Sequence, residues 1–273
     1  SKLGFARELS QTFVGRLRLR LSPPFQIRPL LSVFESPPMA LSDSCHPDCE
    51  RLLNEQEDYD ASQSAAIVAA SLISYVRVIL NLDTEYTMYS AQFLVDNACP
   101  KKEDGQRCVL TVKDALTFAL KEGIPKEVLW AHLGCMFKPP PSACRIPRVS
   151  MKGKVVEAKD LKGAIKLLEH QPVGAKLHVF SPEIDCLGDG IFHGPTSNET
   201  RYVGLRDVMI VAVEHIEEDT VATVRICYKK KTSDIKVSLS TMFLATLHDG
   251  DDSKAIAPTH LLVDFLVPHL SIN

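Results

Sequence analysis

Residues 63–80 read QSAAIVAASLISYVRVIL, eighteen residues without glycine or proline. Apolar side chains recur at Ala66, Ala69, Ala70, Ile73, Val76 and Leu80, a spacing of three and four that predicts a helix. Alanines crowd its first half and let another backbone approach closely. Ile73, Val76, Leu80 and Tyr75 fill the second half, and Arg77 is its single charge. Such a stretch reads as a buried spine rather than a surface helix. It does not read as a membrane span. Its apolar run, residues 64–76, contains three serines and falls short of the roughly 20 apolar residues a bilayer needs.

Downstream, residues 81–83 close this helix and Ser90 caps a second over residues 90–96, with Phe93, Leu94 and Val95 apolar. Thr111 and Asp114 form a capping box for a third, ended by Gly123. After Pro139, Pro140 and Pro141 the pattern changes. Strand-like pieces appear at residues 149–156, 173–180, 190–193, 208–215, 220–228 and 235–247, with one helix over residues 161–169 capped by Asp160. Helices segregated from strands predict an α+β fold. The organisation expected is an extension and linker over residues 1–54, a helical lobe over 55–147, a β-rich, antiparallel barrel-like lobe over 148–249, and a less regular tail over 250–273 into which residues 261–270 bring apolar side chains.

A mean hydropathy of +0.00 and 45% apolar residues are those of a folded chain. The formal charge of −3 is unevenly spread, because residues 1–33 carry one Lys and five Arg against one Glu. That leaves +5 on the first 33 residues and −8 on the rest. The basic, Leu- and Phe-containing start has the composition of an organelle-targeting segment, for mitochondrion or plastid, with the cytoplasm as the other address. Read otherwise, it is a bland extension or a basic arm, and only through such an arm would nucleic acid be a partner. Cys45, His46 and Cys49 are zinc-type ligands, but without a second pair they read by default as loop thiols or a disulfide. No metal or cofactor is expected.

Read in order, several short motifs resemble the papain-like cysteine peptidase family, and on them the chain is identified as a degenerate, inactive, plant-type member. Residues 64–69, SAAIVA, stand where that family has its nucleophile-bearing CWAFSA-type stretch; residues 90–96, SAQFLVD, resemble its second-helix motif. Residues 171–173, QPV, and 190–195, GIFHGP, match its second-lobe motifs almost letter for letter, and the likeness covers about residues 55–245. It implies a two-lobe fold, a helical lobe against an antiparallel β-barrel-like lobe, with Ser64 between them at the start of the long helix. It also implies a bridge between Cys99 and Cys144. Cys108 would meet Ser62 where the family has a second cysteine, and Cys135, Cys186 and Cys227 have no counterpart. So partial a set of cysteines suits a reducing compartment.

The family's chemistry needs a thiolate, an imidazole and a group that orients it. Here Ser64 stands for the cysteine, Ala65 for the tryptophan beside it, and Arg206 for the histidine. The Asn-Ser-Trp-Gly stretch is replaced by ICYKKKTS at residues 226–233. Asp58 falls by direct spacing at the oxyanion-hole glutamine, with Gln56 reached by a short insertion. Arginine keeps its proton and is no base. His193 and His215 offer no identified arrangement with Ser64. No catalytic residue is therefore assigned, Ser64 and Arg206 being degenerate positions. The function expected is that of an inactive papain-fold protein that binds a protein or extended peptide between its lobes, or acts as a scaffold. The alternatives are an unconventional residual peptide-bond hydrolase and a structural subunit of a larger assembly.

Overall fold

The computed structural model describes residues 55–99, 109–130, 132–134, 146–216, 219–248 and 254–271. All of them belong to the larger of two compact units, residues 41–273. The basic segment, the Cys45–His46–Cys49 group, Cys108, Cys135 and the proposed Cys99 partner Cys144 lie outside the described residues.

The spine is helix α1, Ala61–Ile79. Its N-cap is Asp60, whose carboxylate accepts from the Gln63 N–H at 2.8 Å while the Gln63 side-chain Oε1 accepts from the Asp60 N–H at 2.9 Å. This capping box starts the helix three residues before Ser64, which is therefore one turn inside rather than at its opening. Helices α2, Ala91–Asn97, and α3, Val112–Glu122, follow with the Ser90 and Thr111 caps in place. Ala65, Ala66 and Ala69 are wholly buried against Phe93, Leu94, Leu116 and Ala119. One helix of the described residues, α1, is long and apolar enough to cross a membrane, but two thirds of that span is buried within the protein, as in a core helix.

The β part comprises β1 Gly153–Ala158, β2 Val173–Ser181, β3 Ile191–Phe192, β4 Arg201–Ile216, β5 Asp219–Tyr228, β6 Lys231–Ser238, β7 Met242–His248, β8 Lys254–His260 and β9 Leu262–Leu270, with helix α4, Leu161–Leu168, after β1. Seven strands make one sheet in the order β1-β9-β2-β4-β5-β6-β3, antiparallel except for β3 beside β6; β7 and β8 form a separate ribbon. One face packs on α1 through Met209 and Leu266, and the other closes over Leu177, Val208, Val224 and Phe192. Each such fully buried side chain contributes about 1.5–3 kcal/mol of transfer free energy.

The segment expected to be a less regular tail instead supplies β9, inserted between β1 and β2. Two glycines fix the packing. A Cβ on Gly174 would sit 2.9 Å from Leu72 Cδ1, so α1 lies on β2 only because that carbon is missing. Gly194, in GIFHGP, has φ +75 and would bring a Cβ to 2.7 Å from Leu261 Cδ2.

Candidate functional site

The N-terminal approach to α1, the middle of β4 and the β5–β6 turn meet at one point. Arg206, half-buried on β4, donates to Asp58 Oδ2 at 3.0 Å and to the Tyr59 carbonyl at 3.3 Å. Its guanidinium carbon lies 5.9 Å from the ring centre of Tyr228, which faces it from β5. Asp58 Oδ1 accepts from the Tyr59 N–H at 2.8 Å and from the Lys230 N–H at 3.3 Å. The two-residue turn between β5 and β6 places both Lys229 and Lys230 at positive φ, 50 and 59. Lysine adopts that backbone at a cost of about 1–2 kcal/mol. The ion pair of Lys229 with Asp185 at 2.7 Å and the Lys230–Asp58 bond hold the turn there.

Ser64 is 4% exposed; its N–H donates to the Asp60 carbonyl at 2.9 Å, and its Oγ has no hydrogen-bond partner among the described residues. Gln56 turns to Gln63, 2.8 Å away, not toward Ser64. Ser62 accepts from the Leu110 N–H at 3.0 Å, which brings the segment after Cys108 to the helix start. Cys227 is buried beside Arg206 and Asp58, and desolvation pushes its thiol up, so it carries no activated thiolate. His193 is exposed, and His215 pairs with Thr220 at 3.0 Å.

Asp207, next to Arg206, was not singled out in the sequence. Burial pushes its carboxyl up to about 6; Lys176 and Arg206 lower it and Asp264 raises it. Its Oδ1 also has no hydrogen-bond partner among the described residues. The alternation of β4 could have shown it: residue 207 is in phase with Met209, which packs on the α1 side, whereas Arg206 is in phase with Val208. The ion pair of Asp58 with Arg206 was not foreseen in the sequence, where only their opposite charges could have hinted at it. A second link joins α1 to the sheet, where Arg225 holds Asp234 with two hydrogen bonds of 2.9 and 3.0 Å and donates to the Tyr75 hydroxyl at 2.7 Å. No group of three or more His, Cys, Asp or Glu suited to a metal occurs among the described residues.

The likeness to peptidases holds for the fold. The chain superposes on a ragweed pollen cysteine protease, Amb a 11, in its proform, with a TM-score of 0.56 at 15% identity, covering 86% of this chain and 67% of that one. On the bromelain protease of Ananas comosus the values are 0.54 and 11%, covering 77% and 90%. Identities this low carry a fold and not a family. The sequence relatives lie elsewhere. Protein HEAT-INDUCED TAS1 TARGET 4 of Arabidopsis thaliana is 57% identical over 265 residues, 84% of this chain and 95% of that protein. HEAT-INDUCED TAS1 TARGET 1 of the same plant is 50% identical over 270 residues, 86% and 97%. A family model described as the HEAT-INDUCED TAS1 TARGET N-terminal domain matches residues 38–108 and 99–152. These findings correct the expectation of membership in the papain-like cysteine peptidase family.

Proposed function

The chain belongs to the HEAT-INDUCED TAS1 TARGET family, and on that premise we propose that it is a non-catalytic protein built on a papain-like fold, which binds an extended protein segment. The observation that carries this reading is the Asp58–Arg206 contact. At the position where the fold's peptidases need an imidazole, a guanidinium is held by a carboxylate and a backbone carbonyl. A guanidinium stays protonated near neutrality and cannot take a proton from a nucleophile. The Ser64 hydroxyl is buried with no base hydrogen-bonded to it among the described residues. Thiol and hydroxyl routes to an acyl intermediate both lack their proton acceptor.

The test is incubation of the purified protein with fluorogenic peptides, with and without reducing agent. No hydrolysis is expected, and Ser64→Cys, whose thiol would be buried with no base beside it, should turn over no peptide either. Hydrolysis that survives removal of contaminating proteases and disappears in Ser64→Ala would overturn the reading.

A further inference from the structure

Beyond the reach of α1 the same sheet face continues. Gly174 and Met209 pair across β2 and β4 under the α1 cluster; two residues on come Lys176 and Asp207, and two more His178 and Leu205. Side chains alternate along a strand, so these pairs look toward the α1 side. The register then shifts at Val179 and Phe180, with Val203 as the extra residue, and this bulge brings Tyr202 to the same face opposite Phe180. The Tyr202 hydroxyl meets His178 Nδ1 at 2.9 Å. Phe243 of β7 adds its ring at 4.9 Å from His178 and 5.1 Å from Phe180. Tyr202 is 53% exposed and Leu205 44%. Phe180 is buried beneath, so the part of this aromatic cluster most open to water is Tyr202, with Leu205 beside it.

Asp207 borders this cluster: Lys176 and Arg206 act on its carboxylate from nearby, but its Oδ1 has no hydrogen-bond partner among the described residues. Lys176, its cross-strand neighbour, pairs with Asp264 at 3.3 Å, and Arg206 turns to Asp58 at 3.0 Å. A carboxylate with an unbonded oxygen, one rung along the sheet from His178 and two from Tyr202, suits a positive charge that reaches it over those rings. A lysine or arginine also lays an aliphatic stem along apolar side chains.

We propose that this face binds a lysine or arginine side chain presented on an extended segment of a partner protein, the cation at Asp207 and its stem over Tyr202 and Leu205. The inference rests on the segment-binding function and specifies its chemistry. The charged and titratable groups around the Asp207 carboxylate are Lys176 and His178 of β2, Arg206 of β4, Cys227 of β5 and Asp264 of β9. Since burial pushes Asp207 up to about 6, acidification protonates it and releases the cation.

The experiment pans the full chain against a displayed library of random heptapeptides at pH 7.5, then repeats the selection with Asp207→Asn and Tyr202→Ala, both checked for folding by circular dichroism. Enriched peptides should carry Lys or Arg between apolar residues. Each substitution should weaken their binding about tenfold, as should a drop to pH 5 for the unaltered chain. Enrichment of acidic or neutral peptides, or of basic ones indifferent to both substitutions, overturns this inference while leaving segment binding in place. Self-association in sedimentation that Tyr202→Ala abolishes would give the face to a second copy and likewise overturn it. No enrichment at all, with a monomeric chain, overturns both.

Discussion

A buried hydroxyl without a hydrogen bond is a net cost, and Ser64 carries one at 4% exposure. Ser64→Ala removes that cost with little loss of packing. The expected change is neutral to stabilising by about 1 kcal/mol, read as a denaturation midpoint that stays or rises. A clear fall would reveal a role for the oxygen. Asp207 sets a pH dependence of opposite sense to the usual acid. Its folded pKa, about 6, lies above the ordinary 3.8, so the native state binds the proton more tightly. Its contribution is therefore fully present below pH ~4 and lost as pH rises through ~6. Asp207→Asn should be more stable than the parent by about 2–3 kcal/mol at pH 7.5, with the gain shrinking toward pH 4 in urea melts. Asp58 and Arg206 are 18% and 20% exposed, and removing one partner strands the other. A double-mutant cycle of Asp58→Asn and Arg206→Gln should return a coupling of about 1–2 kcal/mol; additivity would mean the pair does not join the lobes. The identities at 64 and 206 were legible as departures from the residues the resembling peptidases carry there. Their contacts were not, because a one-residue phase along β4 decides whether 206 or 207 looks toward α1, and local sequence does not fix that phase.

Among the elements, helices were read well because caps are local. Ser90, Thr111 and Asp160 each bond the N–H three residues on, as their spacing requires. The start of α1 was misplaced by two residues because Asp60 and Gln63 were not taken as a capping pair, although their spacing announces one. Strand β9 escaped for another reason. Its sequence holds Asp264, at φ 57, and Pro268, both adverse signals for a central strand. The structure accommodates them by offset pairing: β2 pairs with Leu262, Val263 and Leu266, while β1 pairs with residues 265–270. Pro268 thus has a strand on one side, and its carbonyl accepts from Gln171 Nε2 at 3.0 Å. The β5–β6 turn is the strained element. Lys230→Gly should relieve about 1 kcal/mol of backbone cost, and a thermal melt would show the rise. Gly174→Ala should do the reverse, forcing Leu72 aside for a loss of about 1–3 kcal/mol.

At the scale of the molecule, the motifs that spoke most clearly were about architecture. GIFHGP has a packing reason, because Gly194 has no room for a side chain against Leu261, and that demand of the fold is independent of catalysis. That is why the fold could be read from a few short matches while the family could not. The basic charge of residues 1–33 carries a separate expectation: residues 1–50 fused to a fluorescent reporter should direct it to an organelle, and a diffuse cytosolic signal would refute that.

The position of β9 has a consequence for how the chain is made. β1 and β2 precede it by some hundred residues and have no pairing with each other; each is joined to the other only through β9. During synthesis the helices and the β2–β4–β5–β6 strands can assemble as they leave the ribosome, but the sheet stays split until residues 262–270 emerge. A message cut short, or a nascent chain released early, therefore yields a product with two exposed strand edges. Such a product is marked for chaperones and proteases by its geometry, and the mark is hidden only once residues 262–270 have taken their place.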